Sequence, residues 1–408
     1  MNLTGKKIVF ITSSQLSANP RLVKEAKALS IRGCNVTIIH QFLTDWATIA
    51  DREILKNNFW KVIQVGGSPT SNKLLYFFSR FRYRMIIMLA RKIPINKYIA
   101  ELAIGRCSKF LASEAKLHEA DLYIAHNLGA LPAAYKAAKK YNGKLGFDAE
   151  DFHRHESADN LSDFYVQAKI IIEDFYLKHL NYFSTSSELI AKEYHMIYPN
   201  LIPNVIQNVF EIKYQQGLNL NNNDELNLFW FSQTIGKGRG LEDVIIAINN
   251  LKNSKIKLSL LGNISGLTRN YFNKMADFKI EYLNPRSEDQ LFNLASTFDI
   301  GLALEPAFCI NNDLALSNKL FIYLIAGLQI IASNTKAQER FTAENPGISE
   351  IYDIGNANEL ANIIFYFLEN KTYLNNGKKC AYQAAKNQFN WELEQNKFLS
   401  VIYQTLSN

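Results

Sequence analysis

The chain has 408 residues, 48% of them hydrophobic and 20% charged. This composition excludes a disordered or collagen-like chain, and the length suggests two or three domains that bury roughly 75% of their unfolded surface without staples. Basic residues outnumber acidic ones by 45 to 38, a net charge of +7, and the four cysteines (Cys34, Cys107, Cys309, Cys380) form no CxxC pair. That cysteine usage argues against a zinc module or a disulfide framework and favours a reducing compartment.

Short apolar strands alternate with helical patterns. KIVFIT (7–12) reads as the first strand. Asn19-Pro20 then reads as a helix start, and Gly33 as its stop. Further strands are expected at 34–40, 61–65, 121–126, 144–148 and 181–186. The stretch 201–225, rich in Asn with Pro and Gly, reads as a linker. A second set of strands follows at 227–233, 257–262, 279–283, 298–304 and 329–333. Such alternation implies parallel sheets with helices on both faces, and ligands bind outside the carboxyl ends of those strands. The expected organisation is an N-terminal Rossmann-like domain (1–200), the linker and a C-terminal Rossmann-like domain (226–385).

The charge is concentrated. Between Ile54 and Ala100 there are nine basic residues and no acidic one. In KLLYFFSRFRYRMIIMLARKIPINKY (73–98), aromatic and aliphatic residues alternate with Arg80, Arg82, Arg84, Arg91 and Lys92. This pattern suits an interfacial amphipathic helix on an anionic membrane, and equally a helix packed on the protein with solvated arginines. No nucleic-acid-binding motif accompanies it, so no nucleic-acid partner is expected. The first apolar run, Ile8–Ile11, is too short for a secretory signal, and Leu320–Thr335 is too short and too polar to span a bilayer. The expectation is a soluble cytoplasmic protein, peripheral on a membrane at most.

Four motifs carry chemistry. Gly236-Lys237-Gly238-Arg239-Gly240 lies between a strand and a helix, where glycines let backbone amides approach an anion and the helix start adds a positive dipole end. It also fits a plain surface turn. Ser317-Asn318-Lys319 opens a second helix, with a lysine where a cation opposes the dipole unless an anion is bound. FDAEDFHRHE (147–156), with Glu150 and Asp151, places acids and histidines at a strand's carboxyl end and suits proton handling or binding of sugar hydroxyls. His153 and His155 at i, i+2 would face opposite ways on a strand, and no second ligand cluster accompanies them, so no metal is expected. His126 ends another strand, where such sheets place function, although a lone histidine also serves structure.

Taken together and in this order, these residues resemble a known family. The segments NPRLVKEAKALSIRGCNVTII, IAHNLGALPAAYKAAKKYNGKLGFDAEDFHRHE, FSQTIGKGRGLEDVIIAI and FDIGLALEPAFCINNDLALSNKLFIYLIAGLQIIAS are similar to the family-4 glycosyltransferases, across nearly the full length. The resemblance implies the GT-B fold, two tandem Rossmann-like doubly wound domains facing a central cleft, with a final helix (386–408) crossing back to the N-terminal domain. It also implies retaining transfer of a sugar from a nucleotide-sugar donor (UDP- or GDP-sugar) to a glycan or lipid-linked acceptor, as in surface polysaccharide synthesis. Neither a cofactor nor a metal is expected. By the same resemblance Lys237, Arg239, Asn318 and Lys319 would hold the donor diphosphate, and His126 would contact the donor sugar beside Glu150 and Asp151. Gly262, Glu305 and Asp313 would border the nucleotide, and Ser13, Ser14 and Gln15 would form a cleft loop. The chain departs from the family's pattern at Gln233-Thr234, where a Gly-Arg is usual, and at Leu314 and Ile322, where glutamates are usual. An epimerase of similar fold and a non-catalytic membrane scaffold are the rival readings.

Overall fold

The structure, a computed structural model, describes residues 2–56, 58 and 60–407. The chain forms two units: 1–206 with 309–311 and 395–408, and 207–308 with 312–394. The last helix, Trp391–Ser407, passes from the second unit into the first.

The first unit is built on a seven-stranded sheet of β1 (Lys7–Thr12), β2 (Asn35–Gln41), β3 (Lys61–Val65), β4 (Leu122–His126), β5 (Lys144–Ala149), β6 (Tyr182–Thr185) and β7 (Asn204–Val205). Its strand order is β3-β2-β1-β4-β5-β6-β7, and every pairing is parallel. β1 and β4 are buried on both faces along almost their whole length, the signature of central strands covered by helices on either side. The helix after β1 starts as the sequence indicates: the Asn19 side chain accepts from the Leu22 amide, and Pro20 fills the first turn.

The second unit carries β8 (Leu226–Thr234), β9 (Ile256–Asn263), β10 (Ile280–Leu283), β11 (Ile300–Ala303), β12 (Gln329–Ser333) and β13 (Ser349–Tyr352). These run in the order β10-β9-β8-β11-β12-β13, again all parallel. Alternate side chains of β8 feed two cores. Leu228 and Trp230 join Leu258, Leu260 and Leu302 under the helices Leu241–Leu251 and Ala357–Glu369. Phe229 joins Ala303, Tyr323 and Leu324 on the opposite face. The helix Asn318–Ala326 lies so close to β11 that a Cβ at Gly301 would sit 2.3 Å from the Tyr323 ring.

In both units the strand order reverses beside the first strand, between β1 and β4 and between β8 and β11. Crevices at the carboxyl ends of such strand pairs are where open α/β sheets take ligands. No helix among the described residues is long and apolar enough to cross a membrane.

Candidate functional site

In the first unit the reversal point sits above a buried ionic network. Arg21, on the helix after β1, grips Asp148 of β5 with both Nε (2.5 Å to Oδ2) and Nη2 (2.7 Å to Oδ1), and Nη1 donates to the Ile206 carbonyl. Glu25, one turn on, lies 3.6 Å from the Arg21 Nε. His126 is sandwiched, its Nε2 3.1 Å from Glu25 and its Nδ1 3.4 Å from Asp148. The Ser184 hydroxyl donates to Asp148 and receives from the Tyr182 hydroxyl. Arg21, Glu25, His126 and Asp148 have no exposed surface. Arg21 against Asp148 and His126 against Glu25 let the group reach zero net charge, the condition for staying buried, while burial raises the Glu25 carboxyl. Burial pulls the imidazole down, but Glu25 and Asp148 outweigh it and hold His126 above its ordinary range. Burial pushes the Asp148 carboxyl up, and Arg21 and His126 outweigh that and hold it low. A contact between the His126 ring and a sugar would require this network to open.

Glu25, His126 and Asp148 also bring ligand atoms within 4.8 Å of one another, the only such trio of acid, histidine or cysteine ligands found among the described residues. Their donor chemistry suits a metal, but the site already holds a guanidinium on the same Asp148 oxygens, and a second cation there would meet repulsion.

Around the network, Glu150 is pushed up to about 7, first by burial and then by the charge of Asp148. Its Oε1 has no hydrogen-bond partner among the described residues. Asp151 is raised by burial and accepts from the Asn311 side chain at 2.9 Å. Ser13 and Ser14 are half-buried at the end of β1. The Ser14 amide donates to the Thr12 hydroxyl, which donates in turn to Asn127. Gln15 is fully buried and closes its own bonds to the amides of Leu43 and Thr44 and to Asp51, so it fastens the loop rather than presenting a group outward.

In the second unit the loop after β8 carries the exposed cations. The Arg239 Nη1 donates to the Ser232 hydroxyl at 2.8 Å, and the Lys237 ammonium stands 3.7 Å above the Tyr271 ring. Gly238 and Gly240 both have positive φ (+67° and +76°), and a Cβ on Gly240 would come to 3.0 Å from the Leu304 Cβ. The loop therefore packs directly beside the end of β11. There the Glu305 carboxylate takes the Lys319 ammonium and the Ser317 hydroxyl, each at 2.7 Å. Ser317 caps the helix Asn318–Ala326, and Asn318 is exposed at its head. Asp313 is tied to Lys336, through the backbone amide at 2.8 Å and the ammonium at 2.9 Å. Leu314 and Ile322, where the resembled family usually has glutamates, are buried in the core. Gly262 has a structural reason of its own. β8 and β9 shift register near Ser232, and a Cβ on Gly262 would lie 2.3 Å from the Ser232 carbonyl.

The structure thus places Lys237 and Arg239 on the loop after β8, and Glu305 with Lys319 after β11, at the carboxyl ends of the two central strands of the second sheet. Glu150 and Asp151 follow β5, beside the buried His126. Sequence reasoning missed Arg21 and Glu25. Their signal was present: an i, i+4 charged pair on the same helix stripe as Leu22, Ala26 and Leu29.

Two parallel-sheet Rossmann-like units in tandem are the architecture of the GT-B fold of the glycosyltransferases. No family model matches the chain, and no curated relative matches it. Solved structures do. A glycosyltransferase from Rickettsia africae ESF-5 aligns at a TM-score of 0.71 with 16% identity, covering 99% of each chain. Anabaena HepE in complex with UDP-glucose aligns at 0.69 with 14% identity, over 98% of this chain and 100% of that one. A variant of S. aureus TarM in complex with UDP aligns at 0.68 with 12% identity, over 97% and 99%.

Proposed function

We propose that the protein is a glycosyltransferase that moves a sugar from a nucleoside diphosphate donor to a glycan or lipid-linked acceptor, with retention at the anomeric carbon. The observation that carries this reading is the set of cations after the second unit's two central strands: Lys237 and Arg239 on a glycine loop before one helix start, and Lys319 at another. Breaking the anomeric bond leaves negative charge on the diphosphate, and fixed cations and backbone dipoles stabilise it as it develops. Lys319 now rests on Glu305, and an incoming diphosphate would compete for it. These cations supply the charge that a metal supplies elsewhere, so activity is expected to survive a chelator. Uridine is the favoured base, because HepE and TarM share this fold and were solved with UDP-glucose or UDP. In this reading the retained face of attack rests on the family resemblance. His126 acts by holding Glu25 and Asp148, and an acceptor at the cytoplasmic face of a membrane fits a polysaccharide-building role.

The test is turnover of UDP- and GDP-sugars by wild type and by Arg239→Ala. Loss of a preformed charge partner of the leaving group is expected to lower kcat by about 10²–10³. Unchanged turnover would remove Arg239 from the reaction. Isomerised donor in the absence of acceptor would replace the transferase reading with an epimerase.

A further inference from the structure

The helix Lys73–Ala90 is apolar on two opposite sides. One side is packed: Tyr76, Ser79 and Ala90 are buried, and the Tyr83 hydroxyl donates to the Ala103 carbonyl. The other side presents Leu74, Phe77, Phe78, Phe81, Met88 and Leu89 to solvent, between 49% and 87% exposed. At 3.6 residues per turn these six fall within roughly a third of the circumference, one stripe along the helix. A contiguous apolar stripe on an otherwise polar surface marks a binding face.

The charges are ordered too. Lys73, Arg80, Arg84 and Arg91 are exposed and follow one margin of that stripe. Arg82 does not join them. It turns inward, donating to the Arg106 carbonyl and lying over the Phe110 ring. No acidic residue occurs from 54 to 100 to neutralise the margin.

We propose that this helix lies in the plane of an anionic lipid surface, with the phenyl rings in the acyl boundary and the arginine row among headgroup phosphates. Charge complementarity selects this occupant. A second copy of the chain would bring the same cationic margin against itself. A nucleic acid would find no stacking face on Leu74, Met88 or Leu89. A bilayer offers both halves of what the helix displays, an apolar layer and a negative layer a few ångströms apart.

Co-sedimentation with vesicles tests this without donor or acceptor present, so its failure leaves the transferase reading untouched. The vesicles are phosphatidylcholine alone, or an equal mixture of phosphatidylcholine and phosphatidylglycerol. Binding is expected only to the mixture, and it should weaken as salt shortens the screening length. Arg80→Ala with Arg84→Ala should lower vesicle affinity on the order of 25-fold. Phe77→Ser with Phe81→Ser should abolish binding while leaving thermal stability unchanged, since both rings are exposed. Equal binding to both vesicles, or binding to neither, overturns the proposal. So does a dimer in sedimentation velocity that the Phe77→Ser, Phe81→Ser pair returns to monomer.

Discussion

Glu150 is the residue whose ionisation costs the fold most visibly. Its carboxyl is held near 7 by burial and by Asp148, against an ordinary value of 4.5. Folding therefore binds a proton between those values, and stability falls as pH rises through that window. Glu150→Gln removes the penalty. Its thermal unfolding should match wild type below about pH 4.5 and exceed it by about 1–3 kcal/mol above pH 7. A variant no more stable than wild type at pH 8 would show that the carboxylate is solvated there. In the neighbouring network Asp148 runs the other way, whereas His126 and Glu25, both raised, run the same way as Glu150. The depressed Asp148 contributes stability that is present above its unfolded value and lost as acid titrates it through its folded one. The raised His126 contributes stability that is full below its unfolded value and lost as pH climbs through its folded one.

At the scale of elements, the bulge where β8 meets β9 connects backbone geometry to the loop that carries Arg239. Ser232 lies against Gly262 through its carbonyl and holds Arg239 through its hydroxyl. Gly262→Ala should cost about 1–3 kcal/mol in urea denaturation, because its φ of +152° and the 2.3 Å approach both exclude a side chain. The same variant should raise the donor KM by displacing Arg239, and an unaltered KM would uncouple the two. Most of these elements were legible in the sequence. The strands of KIVFIT and QIIAS announce themselves as apolar runs, and the Asn19 and Ser317 caps and the Gly33 stop fall where their chemistry requires. β7 and β13 were not legible. One has two residues inside an Asn- and Pro-rich stretch, and the other, SEIY, buries only its end residues fully. The candidate site was legible in part. Glycines and cations mark the second unit's edge, whereas Arg21 and Glu25 pair with residues more than a hundred positions away, a partnership no local window displays.

For the whole molecule, the two sheets repeat one plan, yet the units differ in how the chain completes them. The second unit is nearly continuous in sequence, apart from the excursion 309–311. The first needs the far end of the chain. Phe398, Leu399 and Ile402 are buried, and the Phe398 ring meets Tyr182 at 6.3 Å. Deleting residues 395–408 should strip that cover from β6 and raise binding of a hydrophobic dye, with the first unit's unfolding transition lowered or lost and the second's retained. A truncated chain whose two transitions both match wild type would contradict this. The consequence reaches into biosynthesis. A ribosome releases the opening sheet long before it makes the helix that seals it, so the nascent first half must wait, incompletely covered, while the later half can fold almost as it emerges. The first unit then completes its packing only after the second has been made, and products stalled before residue 395 become natural clients for chaperones and proteases.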